Sequence, residues 1–392
     1  MSEDTLDRRA LLRACVGAGI LGSTGCIGSS GKPSIEDVTV ETVATGLQSP
    51  WGIDFLPDDR VVLTERVGAT AIVAPETGDI ERVDGVPDVS TAGQGGLLDV
   101  SLHPDYPEPA WLYLTYSGTD GAGATATMLG RGRLDPDAAV LTAFERLHVA
   151  EPFVESDAHY GSRVVFGPDG AMYMTAGDRQ FKNFGPEHVA QDPTNELGTT
   201  LRLDPDGTIP DDNPFVDDPD VEDSIFSYGH RNPQGMTVHP ETGDLWQSEH
   251  GEEDGDELNV IERGGNYGWP IATYACRYGT DDPVGDRPDE REDLVEPVYY
   301  WECGSGGFPP AGMTFYDGDA FPDWRGDLFV GNLAGRSLGR FAVDGREVTE
   351  LDPLLAERGW RIRAVEAHPR TGHLYVVIDD EDAPLVRLVP ET

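Results

Sequence analysis

A short pattern of apolar and turn-forming residues recurs six times along the chain. Each copy has an apolar triplet, a turn containing Pro, Asp or Gly, and then a run rich in β-branched and aromatic residues, as in residues 164–175. Two such runs around a short turn predict a β-hairpin. No long segment repeats apolar residues at the helical period of about 3.6, so long helices are not expected. The copies begin near Gly52, Val100, Val164, Met236, Met313 and Val365.

Six similar hairpins on one chain predict an all-β fold, a six-bladed β-propeller. Each hairpin would form the inner part of a four-stranded blade, and long inserted loops would explain the irregular spacing of about 50 to 75 residues. Residues 38–43 are expected to add a strand to the last blade, near residues 385–388, and so close the ring. Two β-sandwiches are the alternative, but they would not explain six copies of one hairpin.

Residues 1–31 are expected to be an export segment, which leaves residues 32–392 as the propeller domain. Arg8 and Arg9 precede an apolar run too short to span a membrane, and the run ends in small residues followed by Cys26. This order resembles a twin-arginine signal with a lipobox. It implies an exported protein that Cys26 anchors through a lipid to the outer face of the cytoplasmic membrane.

The chain has four cysteines. Cys15 lies inside the export segment and Cys26 is the expected anchor, so Cys276 and Cys303 remain. An even pair in an oxidising compartment predicts one disulfide. Neither residue has a Cys or His close by in the sequence, so a zinc site is not expected.

The charge of the chain excludes several partners. It carries 28 Lys+Arg against 72 Asp+Glu, a formal net charge of −44. Such a surface repels nucleic acid and anionic membranes, so a membrane contact would depend on the lipid anchor alone. The 38% of hydrophobic residues is enough for a core and excludes general disorder. Lys32 and Lys182 are the two lysines, and dispersed acid with so little Lys indicates a halophilic source, here a haloarchaeal lipoprotein.

Some polar residues between the hairpins are not explained by strand packing. Glycines surround Gln94, where the backbone can approach a ligand closely, although a tight turn is the alternative. His159 precedes one predicted strand and Asp178 follows the next, so the two can meet at the mouth of the channel. A carboxylate on one imidazole nitrogen raises the basicity of the other, which predicts a general base, although a single His is more often structural.

Two further groups indicate bound anions and a metal. Arg231 and Asn232 precede the fourth hairpin, and Arg361 and Arg363 lie on one face of a strand near the C-terminus. Guanidinium groups bind anions and carbonyl oxygens. Residues 249–259 combine acids with glycines, as the oxygen ligands of Ca²⁺ often do, although acids alone say little in a chain this acidic.

Several motifs in one order resemble the soluble quinoprotein sugar dehydrogenases, the glucose/sorbosone and aldose sugar dehydrogenase family that uses pyrroloquinoline quinone (PQQ). The resemblance covers residues 43–389 and implies a six-bladed propeller that oxidises an aldose at C1 to a lactone. His159 would take the proton from the anomeric hydroxyl, and Asp178 would orient it. Arg231 would lie over the quinone oxygen, with Asn232 beside it. The motifs are GQGGLLDV, HYGSR with GDR, GHRNPQG, EHG with DELN, NYGWP and RIRAV.

The resemblance also implies cofactor and metal ligands. The carbonyl oxygens of Gly251 and Glu252 would bind a catalytic Ca²⁺, while Glu257 and Tyr267 would bind a structural one. The residues implied to hold PQQ are Gln94, Arg231, Asn232, Asn332, Leu333, Ala334, Arg361 and Arg363.

Two positions depart from the family pattern. Ala334 stands where members often carry Lys, so either Arg336 takes its place or the affinity for PQQ is lower. Glu252 stands where Pro can occur, a change that a carbonyl ligand tolerates.

Two other functions remain open at this point. A Ca²⁺-dependent lactonase would use His159 to activate water, but it would have little use for Arg231, Arg361 and Arg363 together. A propeller that only binds sugars or a protein partner would not need a paired His159 and Asp178. The expected partners are a small sugar and an unidentified electron acceptor, with the protein a monomer or a dimer.

Overall fold

The computed structural model describes residues 38–391. These residues form six four-stranded antiparallel sheets, so the predicted six-bladed propeller is confirmed. The expected export segment, with Cys15 and Cys26, lies outside the described residues.

The first strand of the described chain belongs to the last blade, and the other strands follow blade by blade. In chain order they are β1 (Val38–Leu47), then β2 (Pro50–Phe55), β3 (Val61–Glu65), β4 (Ala69–Ala74) and β5 (Asp79–Val83) in blade 1; β6 (Leu97–Leu102), β7 (Trp111–Thr119), β8 (Thr125–Asp135) and β9 (Val140–Val154) in blade 2; β10 (Val164–Phe166), β11 (Met172–Ala176), β12 (Thr199–Leu203) and β13 (Ile225–Tyr228) in blade 3; β14 (Pro233–Val238), β15 (Leu245–Glu249), β16 (Glu257–Val260) and β17 (Tyr299–Tyr300) in blade 4; β18 (Pro310–Phe315), β19 (Leu328–Asn332), β20 (Ser337–Asp344) and β21 (Glu347–Glu350) in blade 5; and β22 (Ile362–Ala367), β23 (Leu374–Ile378) and β24 (Ala383–Pro390) in blade 6.

Helices are short within residues 38–391. None of them is long and apolar enough to cross a membrane. The 3-10 helices of this part of the chain are Val189–Gln191, Pro288–Glu290, Pro322–Trp324 and Ala356–Arg358.

The first strand closes the ring as expected. β1 pairs antiparallel with β24, with Val38 opposite Pro390 and Thr42 opposite Val386. Blade 6 therefore combines residues from both ends of the described chain, and it can form only when those ends meet.

Burial explains the two kinds of strand in the sequence. The second strand of a blade, such as β3, β11 or β23, is buried along its whole length. Outermost strands such as β5 and β21 are largely exposed. Neighbouring blades pack on both faces of the second strand, so it needs a continuous apolar run, whereas the outermost strand can be polar.

Buried apolar clusters join neighbouring blades around the ring. Burying an aliphatic or aromatic side chain of this kind contributes about 1.5–3 kcal/mol. Residues from adjacent blades that share a cluster include Val62 with Leu112, Leu129 with Met174, Tyr173 with Met236, Trp246 with Val330, Phe329 with Val376, and Tyr375 with Val61.

The innermost strands (β2, β6, β10, β14, β18 and β22) pack against one another around the axis. Because each is antiparallel to the second strand, the loop before the innermost strand and the loop after the second strand lie at the same end of the ring. Loops at one end of a rigid scaffold are a common place for functional residues. His159, Asp178 and Arg231 lie on loops of this kind, whereas the expected site residues Glu257, Asn332 and Arg363 lie on strands and Tyr267 follows a third strand, β16.

Candidate active site

His159 and Asp178 meet at this end of the ring. His159 lies before β10 and Asp178 after β11, and the His159 Nδ1 to Asp178 Oδ1 distance is 2.6 Å. Both side chains are buried. Nδ1 therefore carries a proton that it donates to the carboxylate, and Nε2 is the ring nitrogen left to accept one. The predicted pairing of these two residues is confirmed.

The backbone around the pair is in unusual conformations. The φ angles of His159, Arg179 and Gln180 are 48°, 55° and 63°, in the left-handed region that costs energy for residues other than glycine. A Cβ atom on Gly177 would collide with the carbonyl oxygen of His159, so this position requires glycine. Non-glycine residues in this region cluster at functional sites, and here they orient the two catalytic candidates.

Arg179 fastens the loop that carries His159. Its guanidinium donates to the carbonyl oxygens of Ala158 at 2.9 Å and Thr125 at 2.7 Å, and to that of Ser156. It also lies 4.0 Å from the centre of the Tyr160 ring. These contacts explain why a buried arginine follows Asp178 directly.

The electrostatics of the pair favour a neutral imidazole and an ionised carboxylate. Burial lowers the pKa of His159, and the nearby charges of Arg231 and Lys182 lower it further, while Asp178 acts in the opposite direction. Burial opposes ionisation of Asp178, but its interactions with His159 and Arg231 hold its pKa below the ordinary value. At neutral pH, His159 is therefore free to take up a proton.

Arg231 lies beside the pair. The Asp178 N–H donates to the Arg231 carbonyl oxygen at 2.7 Å, which fixes the two loops to each other. Arg231 is 3% exposed, and its Nε has no hydrogen-bond partner among residues 38–391. Asn232 Oδ1 accepts a hydrogen bond from Gly161 N at 3.2 Å. Arg231 thus retains a free N–H in a buried position.

The side chain of Glu252 lies in this site. Its carboxylate is 2.6 Å from Arg231 Nη2 and 2.6 Å from Lys182 Nζ. The sequence indicated only a backbone role for Glu252, because the pairing with Lys182 joins residues far apart in the chain. Lys182 is the one lysine of the described chain, and its side chain is 45% exposed.

A cavity of about 300 Å³ adjoins these residues. His159 N donates to Gln94 Oε1, in the cavity wall, at 2.8 Å. Arg231 Nη1 lies 3.3 Å from the carbonyl oxygen of His250, also in the wall. The lining residues are Trp51, Arg66, Gln94, Gln234, His250, Pro309, Leu333, Ala334, Arg361, Arg363 and Asp379.

Arg361 and Arg363 converge on one carboxylate. Their Nη2 atoms lie 3.0 Å and 2.9 Å from Asp379 Oδ2. Arg363 Nη1 also donates to Gln234 Oε1 at 2.7 Å, and its buried Nε finds no partner in residues 38–391. Burial opposes ionisation of Asp379, but the attraction of the two arginines keeps the pKa of Asp379 below its ordinary value.

The turn after β19 contributes backbone and small side chains. Leu333 and Ala334 line the cavity, whereas Asn332 Oδ1 accepts from Gly335 N at 2.7 Å and so holds the turn. Arg336, one of the two alternatives considered for the missing Lys, is not among the lining residues, and its Nη1 lies 3.5 Å from Gly359 O. Arg336 therefore does not replace that Lys in the cavity wall.

The sequence analysis missed several lining residues. Arg66 follows β3, where no motif drew attention to it, and its Nη1 donates to Gly93 O at 2.8 Å. Trp51 lies under Arg163, 4.2 Å from ring centre to guanidinium carbon. His250 belongs to the EHG motif, but it had no role assigned. Burial lowers its pKa to about 3, and its Nε2 contacts Pro310 O at 2.6 Å, so it is a neutral donor.

Glu257, one of the two residues expected to bind a structural metal, lies beside a second buried carboxylate. Glu249 and Glu257 are cross-strand neighbours on β15 and β16, and both are buried. Burial and the Glu249 carboxylate raise the pKa of Glu257 well above its ordinary value. Asn259 Oδ1 is buried without a hydrogen-bond partner in the described chain. Two like charges and a free oxygen are unfavourable without a cation.

Tyr267 joins this group through an imidazole. Its ring stacks on His230, with 4.6 Å between ring centres, and His230 Nδ1 lies 2.9 Å from Glu249 Oε1. The Tyr267 hydroxyl donates to Val260 O at 2.6 Å, which leaves its carbonyl as the possible ligand. Among residues 38–391, no three His, Cys, Asp or Glu side chains are arranged to hold a metal, so any site here would need carbonyl or amide oxygens.

The predicted disulfide between Cys276 and Cys303 is present. The Cys276 N–H donates to the Glu253 carbonyl oxygen at 3.0 Å, and the Gly255 N–H donates to Trp301 O at 2.7 Å. The bond therefore links two segments that both contact the loop carrying Gly251 and Glu252.

Comparison with known proteins agrees with this architecture. A family model described as Glucose / Sorbosone dehydrogenase matches residues 47–387. The chain is 37% identical over 371 residues to the aldose sugar dehydrogenase YliI of Escherichia coli, covering 93% of this chain and 96% of that protein.

Two solved structures support the same assignment. The soluble aldose sugar dehydrogenase of Escherichia coli in its apo form matches with a TM-score of 0.82 and 36% identity, over 90% of this chain and 100% of that one. The PQQ-bound aldose sugar dehydrogenase of Streptomyces coelicolor matches with a TM-score of 0.72 and 29% identity, over 90% and 98%.

The fold is a six-bladed propeller. The paired His159 and Asp178, beside an arginine-lined cavity, form a polar candidate active site on it. With these matches, the chain belongs to the glucose/sorbosone dehydrogenase family. The expectation of an oxidoreductase from this family is confirmed.

Proposed function

We propose that this protein oxidises an aldose at C1 to the lactone, with PQQ as hydride acceptor and Ca²⁺ as a second cofactor. The observation that carries the proposal is the His159–Asp178 pair beside a cavity rich in arginine. A base with a free nitrogen suits removal of a hydroxyl proton, and a cationic cavity suits a polyanionic cofactor.

The cavity residues fit PQQ. Arg66, Arg361 and Arg363 outnumber the single acid Asp379 in the cavity wall, although the whole chain has a net charge of −44. Buried guanidinium N–H groups without partners, at Arg363 and Arg231, are costly unless a ligand accepts their hydrogen bonds. PQQ has three carboxylates that these arginines would hold, and when bound it supplies a quinone that accepts a hydride.

His159 and Asp178 perform the proton chemistry in this proposal. Nε2 of His159 takes the proton of the C1 hydroxyl as the C1 hydrogen leaves. The resulting imidazolium keeps its Nδ1–H hydrogen bond to Asp178, whose negative charge stabilises it. Arg231 adds positive charge near the cofactor and, through its carbonyl contact with Asp178 N, fixes the distance between the two loops.

Ca²⁺ is proposed at two places. The carbonyl oxygens of Gly251 and Glu252 would bind a catalytic ion, which acts as a Lewis acid when present. Glu257 and the carbonyl of Tyr267 would bind a structural ion. Support for the second comes from the buried Glu249 and Glu257 carboxylates, with which no Lys or Arg of residues 38–391 forms an ion pair, and from hard oxygen donors of the type that Ca²⁺ prefers.

Export and anchoring complete the proposal. With the twin-arginine motif, the lipobox and Cys26, the enzyme would be anchored on the outer face of the cytoplasmic membrane, where it would pass electrons to an acceptor outside the cell. The acidic composition supports a high-salt environment.

Reconstitution of the purified apoprotein tests the proposal. PQQ and Ca²⁺ are added and the reduction of a soluble dye is followed with a panel of aldoses. Activity should need both additions and should disappear with EDTA. Methyl glycosides of the same sugars are the control, because they lack the C1 hydroxyl proton and should not react.

The same preparation separates the alternatives. Lactone hydrolysis without PQQ would support a Ca²⁺-dependent lactonase, and sugar binding without dye reduction would support a binding protein. Either result, with no aldose oxidation in the presence of PQQ and Ca²⁺, would overturn the proposal.

A further inference from the structure

The second oxygen of Asp178 has its own buried donor. Trp269 Nε1 donates to Asp178 Oδ2 at 2.8 Å, across 91 positions in the chain. Trp269 is 4% exposed and Asp178 is fully buried. A hydrogen bond between a buried N–H and an ionised carboxylate is of the strong, charge-assisted kind.

The donors to Asp178 are divided between its two oxygens. Oδ1 accepts from His159 Nδ1 at 2.6 Å and from Gln180 N at 2.8 Å. Near Oδ2, His188 Nε2 is 3.6 Å away, and its proton is directed at Phe181 O, 3.2 Å away. The indole N–H of Trp269 is therefore the short contact that fixes Oδ2.

Trp269 is itself held rigidly. Its backbone N–H donates to Gly229 O at 2.9 Å, and its backbone carbonyl oxygen accepts from Gln191 Nε2 at 2.8 Å. The ring packs edge-on against Phe184, 5.5 Å between centres, and the Arg231 guanidinium lies 5.2 Å from the ring centre. An indole fixed on several sides holds its partner in one orientation.

We infer that Trp269 is a positioning residue that fixes Asp178 so that the carboxylate faces His159 Nδ1. The inference rests on the proposed role of His159 as a base. Trp269 does not touch the reacting atoms in this account. It acts on His159 through Asp178.

The charges around the pair determine the direction of the effect. Arg231, Lys182, His188 and His250 face His159 or Asp178, and Trp269→Phe removes none of these charged or titratable groups. Without that donor, the Asp178 carboxylate is less stabilised as an anion and attracts the imidazole proton more strongly. The pKa of His159 should then rise, and the base should be lost at a higher pH.

Trp269→Phe tests this, with Trp324→Phe as the matched control. Trp324 is also buried, but its Nε1 has no hydrogen-bond partner in the part of the chain that the structure describes. With PQQ and Ca²⁺ added, Trp269→Phe should lower kcat about 10- to 100-fold with little change in KM. The acid limb of the pH profile should move to higher pH. Trp324→Phe should keep the wild-type kcat and the wild-type pH profile.

NMR of the apoprotein gives a readout that needs no activity. With ¹⁵N-labelled histidine, the His159 titration should move to higher pH in Trp269→Phe and stay in place in Trp324→Phe. A titration that stays in place or moves lower in Trp269→Phe overturns the inference. A shift in a protein that oxidises no aldose would retain the inference about positioning and refute the proposed function.

If Trp269→Phe does not fold, the wild-type protein supplies the test. The ¹⁵N–H resonance of the Trp269 indole should titrate together with His159, because the two share Asp178. The Trp324 indole resonance should not follow that titration. An indole signal from Trp269 that is independent of His159 would overturn the inference.

Discussion

Arg361 and Arg363 share Asp379, and this sharing sets the charge of the cavity. One carboxylate cannot neutralise two guanidinium groups, and Arg66 adds a third positive charge in the same wall. Arg363 is the more buried of the two arginines, because 10% of its side chain is exposed against 42% for Arg361. It should therefore contribute the larger share of affinity for an anionic cofactor.

Arg363→Gln should weaken PQQ binding about 10- to 100-fold, the usual effect of losing a hydrogen bond to a charged group. Asp379 keeps Arg361 as a partner, so the fold should survive. The affinity is measured by titrating the apoprotein with PQQ and following absorbance. Arg387→Gln is the control, because Arg387 pairs with Glu41 in blade 6, 2.8 Å apart, outside the cavity lining. Equal affinities in the two variants would contradict this account of the cavity.

The sequence predicted His159 with Asp178 because a hairpin brings the ends of their strands together. It predicted Arg361 with Arg363 because residues two apart lie on one face of a strand. It did not predict Lys182 with Glu252 or Trp269 with Asp178. Those contacts join loops 70 and 91 positions apart. Such distances carry no local pattern, and only the closed ring brings the loops into contact.

At the level of elements, the hairpin pattern was sufficient to predict the blades and the closing strand. The second strands begin with apolar residues, as VVL does in β3, and residues 38–43 (VTVETV) mix valines with polar residues as an outer strand does. The short outer strand Tyr299–Tyr300 and the cavity-facing turn after Asn332 had no comparable signal. Their position is set by loops that pack on other loops, where hydrophobic periodicity is absent.

The disulfide should stabilise the loop region next to the active site. Its residues are 27 positions apart, and closing a loop of this size contributes about 3–4 kcal/mol. The variant with Cys276→Ser and Cys303→Ser should unfold at a lower denaturant concentration. It should also bind Ca²⁺ more weakly, because both ends of the loop contact residues 253–255. Guanidinium unfolding at constant KCl and a Ca²⁺ titration measure these effects.

Reductant provides the control for that comparison. It should destabilise the wild-type protein and leave the serine variant unchanged. A wild-type protein whose unfolding and Ca²⁺ affinity are unaffected by complete reduction would show that the bond has no such role.

Glu366 on β22 should make stability depend on pH. Burial raises its pKa to about 8, although hydrogen bonds from Thr314 and Ala367 oppose the rise. Between the ordinary value of 4.5 and about 8, the folded protein keeps a proton that the unfolded chain has released. Raising the pH through this window therefore lowers the contribution of Glu366 to the free energy of unfolding.

Glu366→Gln removes this effect. Its free energy of unfolding, relative to the wild type, should increase from pH 5 to pH 8 and then level off. Glu347→Gln, at an exposed position of β21, is the control and should show a difference that does not change with pH. A Glu366→Gln difference that is constant over this range would refute the buried, protonated state of Glu366.

For the molecule as a whole, the charge of −44 should make folding depend on salt. The Debye length is about 30 Å at 0.01 M and about 3 Å at 1 M. At low ionic strength, acids all over the surface would therefore repel one another, whereas at molar salt only neighbours interact. Dilution should unfold the protein, and Ca²⁺ should offset part of the loss by binding to the folded state.

Circular dichroism across a KCl series, with and without Ca²⁺, measures this dependence. Choline chloride at equal ionic strength is a useful comparison, because simple screening should work with either cation. A fold equally stable at 0.05 M and 3 M KCl would show that the acidity is not an adaptation to salt.

A single-turnover reaction tests the central claim most directly. Protein loaded with PQQ and Ca²⁺ is mixed with an aldose without oxygen, and cofactor absorbance and sugar products are recorded together. The wild type and the control His103→Ala should form one lactone per reduced cofactor. His159→Ala should still bind PQQ but react about 10²- to 10⁴-fold more slowly. Cofactor reduction at the wild-type rate in His159→Ala, or no reduction of the wild type by any aldose, would contradict the account.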